Sequence, residues 1–145
     1  MCGYLFVYSK KKISIDKKKF LDSSKLINHR GPDDFSTFYG ENIAASFYRL
    51  SIRDITTNGR QPMLSHTKKK IIVFNGEIYN SNYLKSKIDS NKFLGDSDTE
   101  ILINYFEKYK EQSLENFKGM FSFVIYDFEN KKCILARDRF GIKPL

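Results

Sequence analysis

Cys2, Arg49, the pair Asn75-Gly76 and Asp98 are side chains whose types and places could do chemistry. Once Met1 is removed, Cys2 is the N-terminal residue. A terminal cysteine brings its own base, an α-amine whose ordinary pKa is about 7.7–8.0. A free thiol, at about 8.5, needs such help near neutrality. Thiol and amine together make a self-contained nucleophile of the terminal type. The alternative is that Cys2 is a small residue that happens to follow the initiator. Asn75-Gly76 carries the strongest short signal for a type I′ hairpin turn. From the dipeptide alone the turn is the favoured reading; the other is an oxyanion hole, with a side-chain amide and an adjacent backbone N–H aimed at one point. Arg49 closes the apolar run Ala44-Ala45-Ser46-Phe47-Tyr48. Its guanidinium could fork onto a substrate carboxylate or onto a surface acid. Asp98 falls where a helix begins, and the dipole alone accounts for an anion there. An anion at that place could also receive an ammonium.

These residues need elements to hold them. Residues 3–9 read as a buried strand, and 16–28 as a helix with Asp16 at its N-cap. Residues 29–34, His-Arg-Gly-Pro-Asp-Asp, read as a loop. Residues 35–40 and 43–52 read as strands around a turn at Gly40. A short buried strand is expected at 70–74, then Asn75-Gly76, then an extended piece at 77–79. Tyr83, Leu84, Lys87 and Ile88 suggest a short helix. Ser97-Asp98-Thr99-Glu100 reads as a capping box. Ile101, Leu102, Tyr105, Phe106 and Tyr109 then follow at helical spacing. A helical turn at 113–117 and strands at 120–127 and 133–137 around Glu129-Asn130 complete the reading. Strands and helices come in blocks, so the expected class is α+β with largely antiparallel sheets. Cys133 is expected to be a buried, inert thiol.

The 145 residues suit one domain with one core, with 41% hydrophobic and 15% aromatic residues and only 3 Pro. That composition excludes disorder and a collagen-like fibre. No apolar run approaches the roughly 20 residues of a spanning helix, and the N-terminus lacks the basic lead of a secretory signal. Two cysteines near opposite ends argue against a disulfide framework and for a reducing cytoplasm. The net charge of +8 admits an anionic partner. Its lysines, however, fall in runs such as Lys10 to Lys12 and Lys68 to Lys70, which read as solvated faces. No nucleic-acid motif accompanies them.

The chain resembles the glutamine-hydrolysing domain of asparagine synthetases, class II glutamine amidotransferases with an N-terminal nucleophile. The resemblance rests on Met1-Cys2-Gly3, His29 to Asp34, Arg49-Leu50-Ser51-Ile52 with Asp54, and Asn75-Gly76-Glu77-Ile78-Tyr79-Asn80. It continues through Ser97 to Glu100, Gly119-Met120-Phe121 and Arg137 to Leu145. It implies a four-layer αββα fold with mainly antiparallel sheets, and hydrolysis of L-glutamine through a thioester on Cys2. Asn75 and Gly76 would form the oxyanion hole. Arg49, with backbone from Leu50, Ser51, Ile52 and Arg53, would hold the α-carboxylate. Asp98 with the carbonyl region of Gly76-Glu77 would receive the α-ammonium. The loop from His29 to Asp34 would shape the site without taking part in catalysis. Tyr4 departs from the aliphatic residue usual there. No metal or cofactor is expected for this chain, whereas a synthetase domain or subunit, in cis or trans, would use ATP and Mg²⁺. That domain is absent from these residues, and the amidase fold would itself continue past Leu145. An unpaired sheet edge and apolar surface are therefore expected around Phe121, Phe123 and Ile125. A homo-oligomer is possible, and neither nucleic acid nor membrane is expected as a partner. The alternative is an inactive truncated module that docks to a synthetase domain.

Overall fold

The computed structural model describes residues 2–12, 14–52 and 56–145. A first sheet holds β1 (Gly3–Tyr8), β2 (Asp34–Tyr39) and β3 (Ile43–Arg49) in the order β1-β3-β2. A second holds β4 (Met63–Leu64), β5 (Lys70–Ile78), β6 (Gly119–Asp127) and β7 (Lys132–Arg137) in the order β4-β5-β6-β7. Every pairing is antiparallel. The helices are α1 (Lys17–Lys25), α2 (Ser81–Lys85) and α3 (Asp98–Tyr109). The class is α+β, as expected.

Successive residues of a strand point to opposite faces, and β3, β5 and β6 bury both of theirs. Ala45 and Phe47 of β3 cluster with Val73 of β5 and Val124 of β6, joined by Cys2, Tyr4, Phe6 and Cys133. Ile43, Ile71 and Tyr126 extend this contact between the sheets. The alternate residues, Ile72, Phe74, Ile78, Phe121, Phe123 and Ile125, meet α2 and α3 through Leu84, Ile101, Leu102, Tyr105 and Phe106. Each such side chain contributes about 1.5–3 kcal/mol on burial. Helix α1 lies against the first sheet: the Phe20 ring meets Tyr39 at 5.6 Å, and Ser24 Oγ lies 2.6 Å from Ser46 Oγ. Among the described residues no helix is long and apolar enough to cross a membrane.

Several expectations change. Asp16 caps α1, accepting from Lys19 N at 3.1 Å, but the helix stops at Lys25. Bonds from Leu26 and Ile27 to residues three back tighten its end, and Asn28–Arg30 form a 3₁₀ turn. β3 ends at Arg49, not at 52. The two pieces at 70–74 and 77–79 are one strand, and Asn75-Gly76 is no turn. Asn75 lies opposite Ser122 and Gly76 opposite Phe121. The turn at 113–117 is part of a 3₁₀ segment, Lys110–Asn116. The capping box is half formed. Ser97 Oγ accepts from Glu100 N, while the Glu100 carboxylate turns to Leu94 N and Gly95 N at 2.7 and 2.9 Å.

Lys70 is not solvated. It is 2% exposed and forms an ion pair with Asp127 across the β5–β6 register. Burial acts to raise the Asp127 carboxyl, but Lys70 and the Asn130 N–H groups outweigh it and hold the pKa at about 2. Phe121, Phe123 and Ile125 are buried, because β6 lies inside its sheet under α3. The edge strands of this sheet are β4 and β7, where Leu64 and Leu135 face solvent. Cys133, on β7, is half-buried, and burial raises its thiol.

Candidate active site

Cys2 precedes β1, whose Gly3 pairs with Tyr48, so it sits level with the end of β3. It shares the inward side of Tyr4 and Phe6. The N–H of Leu50 donates to its Sγ at 3.4 Å, and the Leu50 carbonyl lies 3.7 Å from the sulfur. Arg30 Nε donates to the Cys2 carbonyl at 3.0 Å. Two acids of the same loop hold the chain beyond β3. Asp33 Oδ2 accepts from Ser51 N at 2.7 Å, and Asp34 takes two bonds from the Arg60 guanidinium at 2.6 and 3.1 Å. The loop from His29 to Asp34 thus fixes the surroundings of Cys2.

Arg49 follows the inward parity of Ala45 and Phe47, and is 7% exposed. Its Nη1 donates to the Thr56 carbonyl at 2.9 Å. Asp98 opens α3, buried, and its Oδ2 accepts from Ile78 N at 2.8 Å.

The geometry of Gly76 follows from the register. Phe121 exchanges bonds with Asp138 on the β7 side: the Asp138 N–H donates to its carbonyl at 2.8 Å, and its own N–H donates to Asp138 Oδ2 at 3.2 Å. Antiparallel ladders alternate hydrogen-bonded and non-bonded pairs. Gly76 and Phe121 are therefore a non-bonded pair, and Gly76 directs its N–H away from β6. On that edge Phe74 N donates to Gln61 Oε1 at 2.6 Å and Ile78 N donates to Asp98. The Gly76 N–H, of the same parity, leaves the sheet between these two. A Cβ at Gly76 would lie 2.2 Å from the Met120 carbonyl oxygen and 2.6 Å from Phe121 Cα, so no larger residue fits this approach.

These groups meet at a cavity of about 170 Å³. Its walls include Cys2, Arg49, Leu50, Ile52, Asn75, Gly76, Glu77 and Asp98. Ser51 does not line it, since its N–H is turned to Asp33, and Arg53 lies outside the described residues. Gln61, Thr99 and Lys143 line it and escape a sequence reading. Gln61 sits in an otherwise featureless loop, and only the partner strand gives its amide a purpose. Lys143 belongs to the terminal Lys-Pro-Leu run, which signals the family but not a place in the wall. Cys2 and Asn75 also border a second cavity of about 260 Å³, beside Tyr4, Arg30 and Leu145. Among the described residues no group of three or more His, Cys, Asp or Glu is placed to hold a metal ion.

The arrangement sets a thiol, a buried amide and an outward N–H beside the buried cation of Arg49 and the buried anion of Asp98, with Lys143 and Glu77 also in the wall. A molecule carrying a carboxylate, an ammonium and an acyl carbon matches that set.

Residues 1–145 match a family model described as a glutamine amidotransferase domain. The chain is 38% identical over 150 residues to asparagine synthetase [glutamine-hydrolyzing] 1 of Bacillus subtilis, covering 100% of this chain and 24% of that protein. It is 38% identical over 146 residues to asparagine synthetase [glutamine-hydrolyzing] of Zea mays, covering 100% and 25%. It is 34% identical over 147 residues to asparagine synthetase B [glutamine-hydrolyzing] of Escherichia coli, covering 100% and 26%. The chain thus spans about a quarter of the length of the curated relatives it matches.

Proposed function

The chain belongs to the glutamine amidotransferase domain family, and from that premise we propose that it hydrolyses L-glutamine to L-glutamate and ammonia through a γ-glutamyl thioester on Cys2. The single observation that carries this reading is the convergence of Cys2, Arg49, Asn75, Gly76 and Asp98 on one cavity.

With Met1 removed, the Cys2 α-amine takes the thiol proton, and the sulfur attacks the side-chain amide carbon. The developing oxyanion is received by the Asn75 amide and the Gly76 N–H. One such donor is worth about 3–4 kcal/mol of barrier. Collapse of the intermediate breaks the C–N bond, and the Cys2 ammonium gives its proton to the leaving nitrogen as ammonia departs. Water, deprotonated by the same amine, then attacks the thioester and releases glutamate and the thiol. Arg49 holds the substrate α-carboxylate beside the backbone of Leu50 and Ile52. Asp98 receives the α-ammonium, with the Gly76-Glu77 carbonyl region beside it. No step calls for a metal or cofactor.

The same reading gives the architecture its finer form, a four-layer αββα arrangement of the N-terminal-nucleophile hydrolases. It is supported by α1 on one sheet, α2 and α3 on the other, and the apolar contact between the sheets. The relatives' names support a synthetase domain or subunit as the consumer of the ammonia in L-asparagine formation; ATP and Mg²⁺ belong to the proposal for that domain alone.

Glutamate release by the chain with a free Cys2 N-terminus tests the proposal. The parent should turn over glutamine, and Cys2→Ala should lower the rate at least about 10³-fold. A folded parent that releases no glutamate would contradict it and favour the docking module.

A further inference from the structure

The β4–β5 pairing sets Met63 opposite Ile72 and Leu64 opposite Ile71. Continued by the same register, Gln61 falls opposite Phe74. The main-chain ladder does not continue there: β4 begins at Met63, and the Gln61 carbonyl accepts instead from Ser36 Oγ. The Gln61 side chain takes over the pairing. Its Oε1 accepts from Phe74 N at 2.6 Å, and its Nε2 donates to the Phe74 carbonyl at 3.1 Å. The same Nε2 donates to Thr99 Oγ1 at 2.9 Å. Gln61 is 6% exposed and lines the cavity.

The two residues it grips adjoin the two ends of the site. Phe74 precedes Asn75-Gly76, and Thr99 follows Asp98. On the edge of β5, Gln61 holds Phe74 and Asp98 holds Ile78, with the Gly76 N–H between them. A single amide thus ties the strand that carries the oxyanion donors to the helix that carries the anion. The geometry points to Gln61 as a positioning residue that fixes the distance between the oxyanion donors and Asp98, and so the length of the amino-acid amide accepted. This inference rests on the glutaminase reading. A catalytic group moved by about 1 Å can lose about 10²-fold in rate, so the bridge matters without touching substrate.

The test combines glutamine kinetics, expressed per thiol-competent site, with hydrogen exchange of individual amides in the full chain. Gln61→Leu should lower kcat and raise KM, each by about tenfold. It should also speed exchange at Phe74 and Ile78 more than in β7. Thr99→Val removes one arm and leaves the Phe74 arm in place, so KM should rise roughly fivefold with kcat within about twofold. Thr99→Ser restores the hydroxyl and should bring KM back to within about twofold of the parent. Should Gln61→Leu fail to fold, the two Thr99 variants carry the test. Unchanged kinetics in Gln61→Leu, unchanged exchange at Ile78, or equal KM for Thr99→Val and Thr99→Ser would each overturn the inference alone. A parent chain without glutamine turnover would overturn the glutaminase reading and this inference with it.

Discussion

Gly76→Ala joins the fold to the proposed chemistry in a single methyl group. That carbon would stand 2.2 Å from the Met120 carbonyl oxygen, 2.6 Å from Phe121 Cα and 2.9 Å from Phe121 Cβ. Comfortable contact between such atoms lies at about 3.5–4.0 Å, so β5 and β6 must part by roughly 1 Å. The neighbouring pairs, Asn75 with Ser122 and Glu77 with Met120, are the hydrogen-bonded ones of this ladder. Stretching their bonds, at a net value of about 0.5–1.5 kcal/mol each, gives an expected loss of about 2–4 kcal/mol. The same shift moves Asn75 away from the oxyanion, and turnover should fall about 10²-fold even in the folded fraction. Gly40→Ala is the control, since a methyl there meets Ile43 Cγ1 and Phe38 Cε1 at 3.2 Å, and those side chains can give way. Urea unfolding followed through the 9 tyrosines, with no tryptophan to interfere, measures the stability term. Glutamate release measures the other. A Gly76→Ala chain within about 0.5 kcal/mol of the parent and with normal turnover would refute the close-approach argument.

The remaining predictions concern the buried pair and the substrate carboxylate site. Asp127→Asn leaves the Lys70 ammonium buried without its counter-charge and should cost about 3–5 kcal/mol at neutral pH by urea unfolding. The folded Asp127 pKa, about 2, lies below its ordinary 3.8. Its stabilisation is therefore present above pH 3.8 and is lost as pH falls through about 2, so the gap between parent and variant should narrow over that window. Arg49→Lys keeps the charge but loses the planar fork. Its KM for glutamine should rise about 10- to 100-fold, the equivalent of one charge-assisted hydrogen bond.

The parts of the fold legible in the sequence were those whose signal is local. The Asp16 cap, the start of α3 at Ser97-Asp98 and the apolar runs of β3 and β6 all follow from neighbouring residues. Asn75-Gly76 is the instructive failure. Its composition favours a turn, but the ladder with β6, more than 40 residues away, holds it in mid-strand. The two-residue β4 carries no periodicity to detect, and Gln61 acquires its role only from the register that β4 sets. Lys70 sits in a lysine run that looks solvated, and only Asp127 across the ladder explains its burial. Cys2, Arg49 and Asp98 drew attention by type and place, but their convergence on one cavity depends on how β1, β3 and α3 end at one side of the two sheets.

The central claim is that Cys2, with a free α-amine, is the nucleophile for a glutamine-like acyl group. An electrophilic glutamine analogue, followed by mass spectrometry of the intact chain and its peptides, tests it most directly. The account predicts one adduct per chain, on an N-terminal peptide that begins at Cys2 and lacks Met1, with excess glutamine protecting against it and Cys133 unlabelled. An adduct on Cys133, or efficient labelling of a chain that retains Met1, would contradict it.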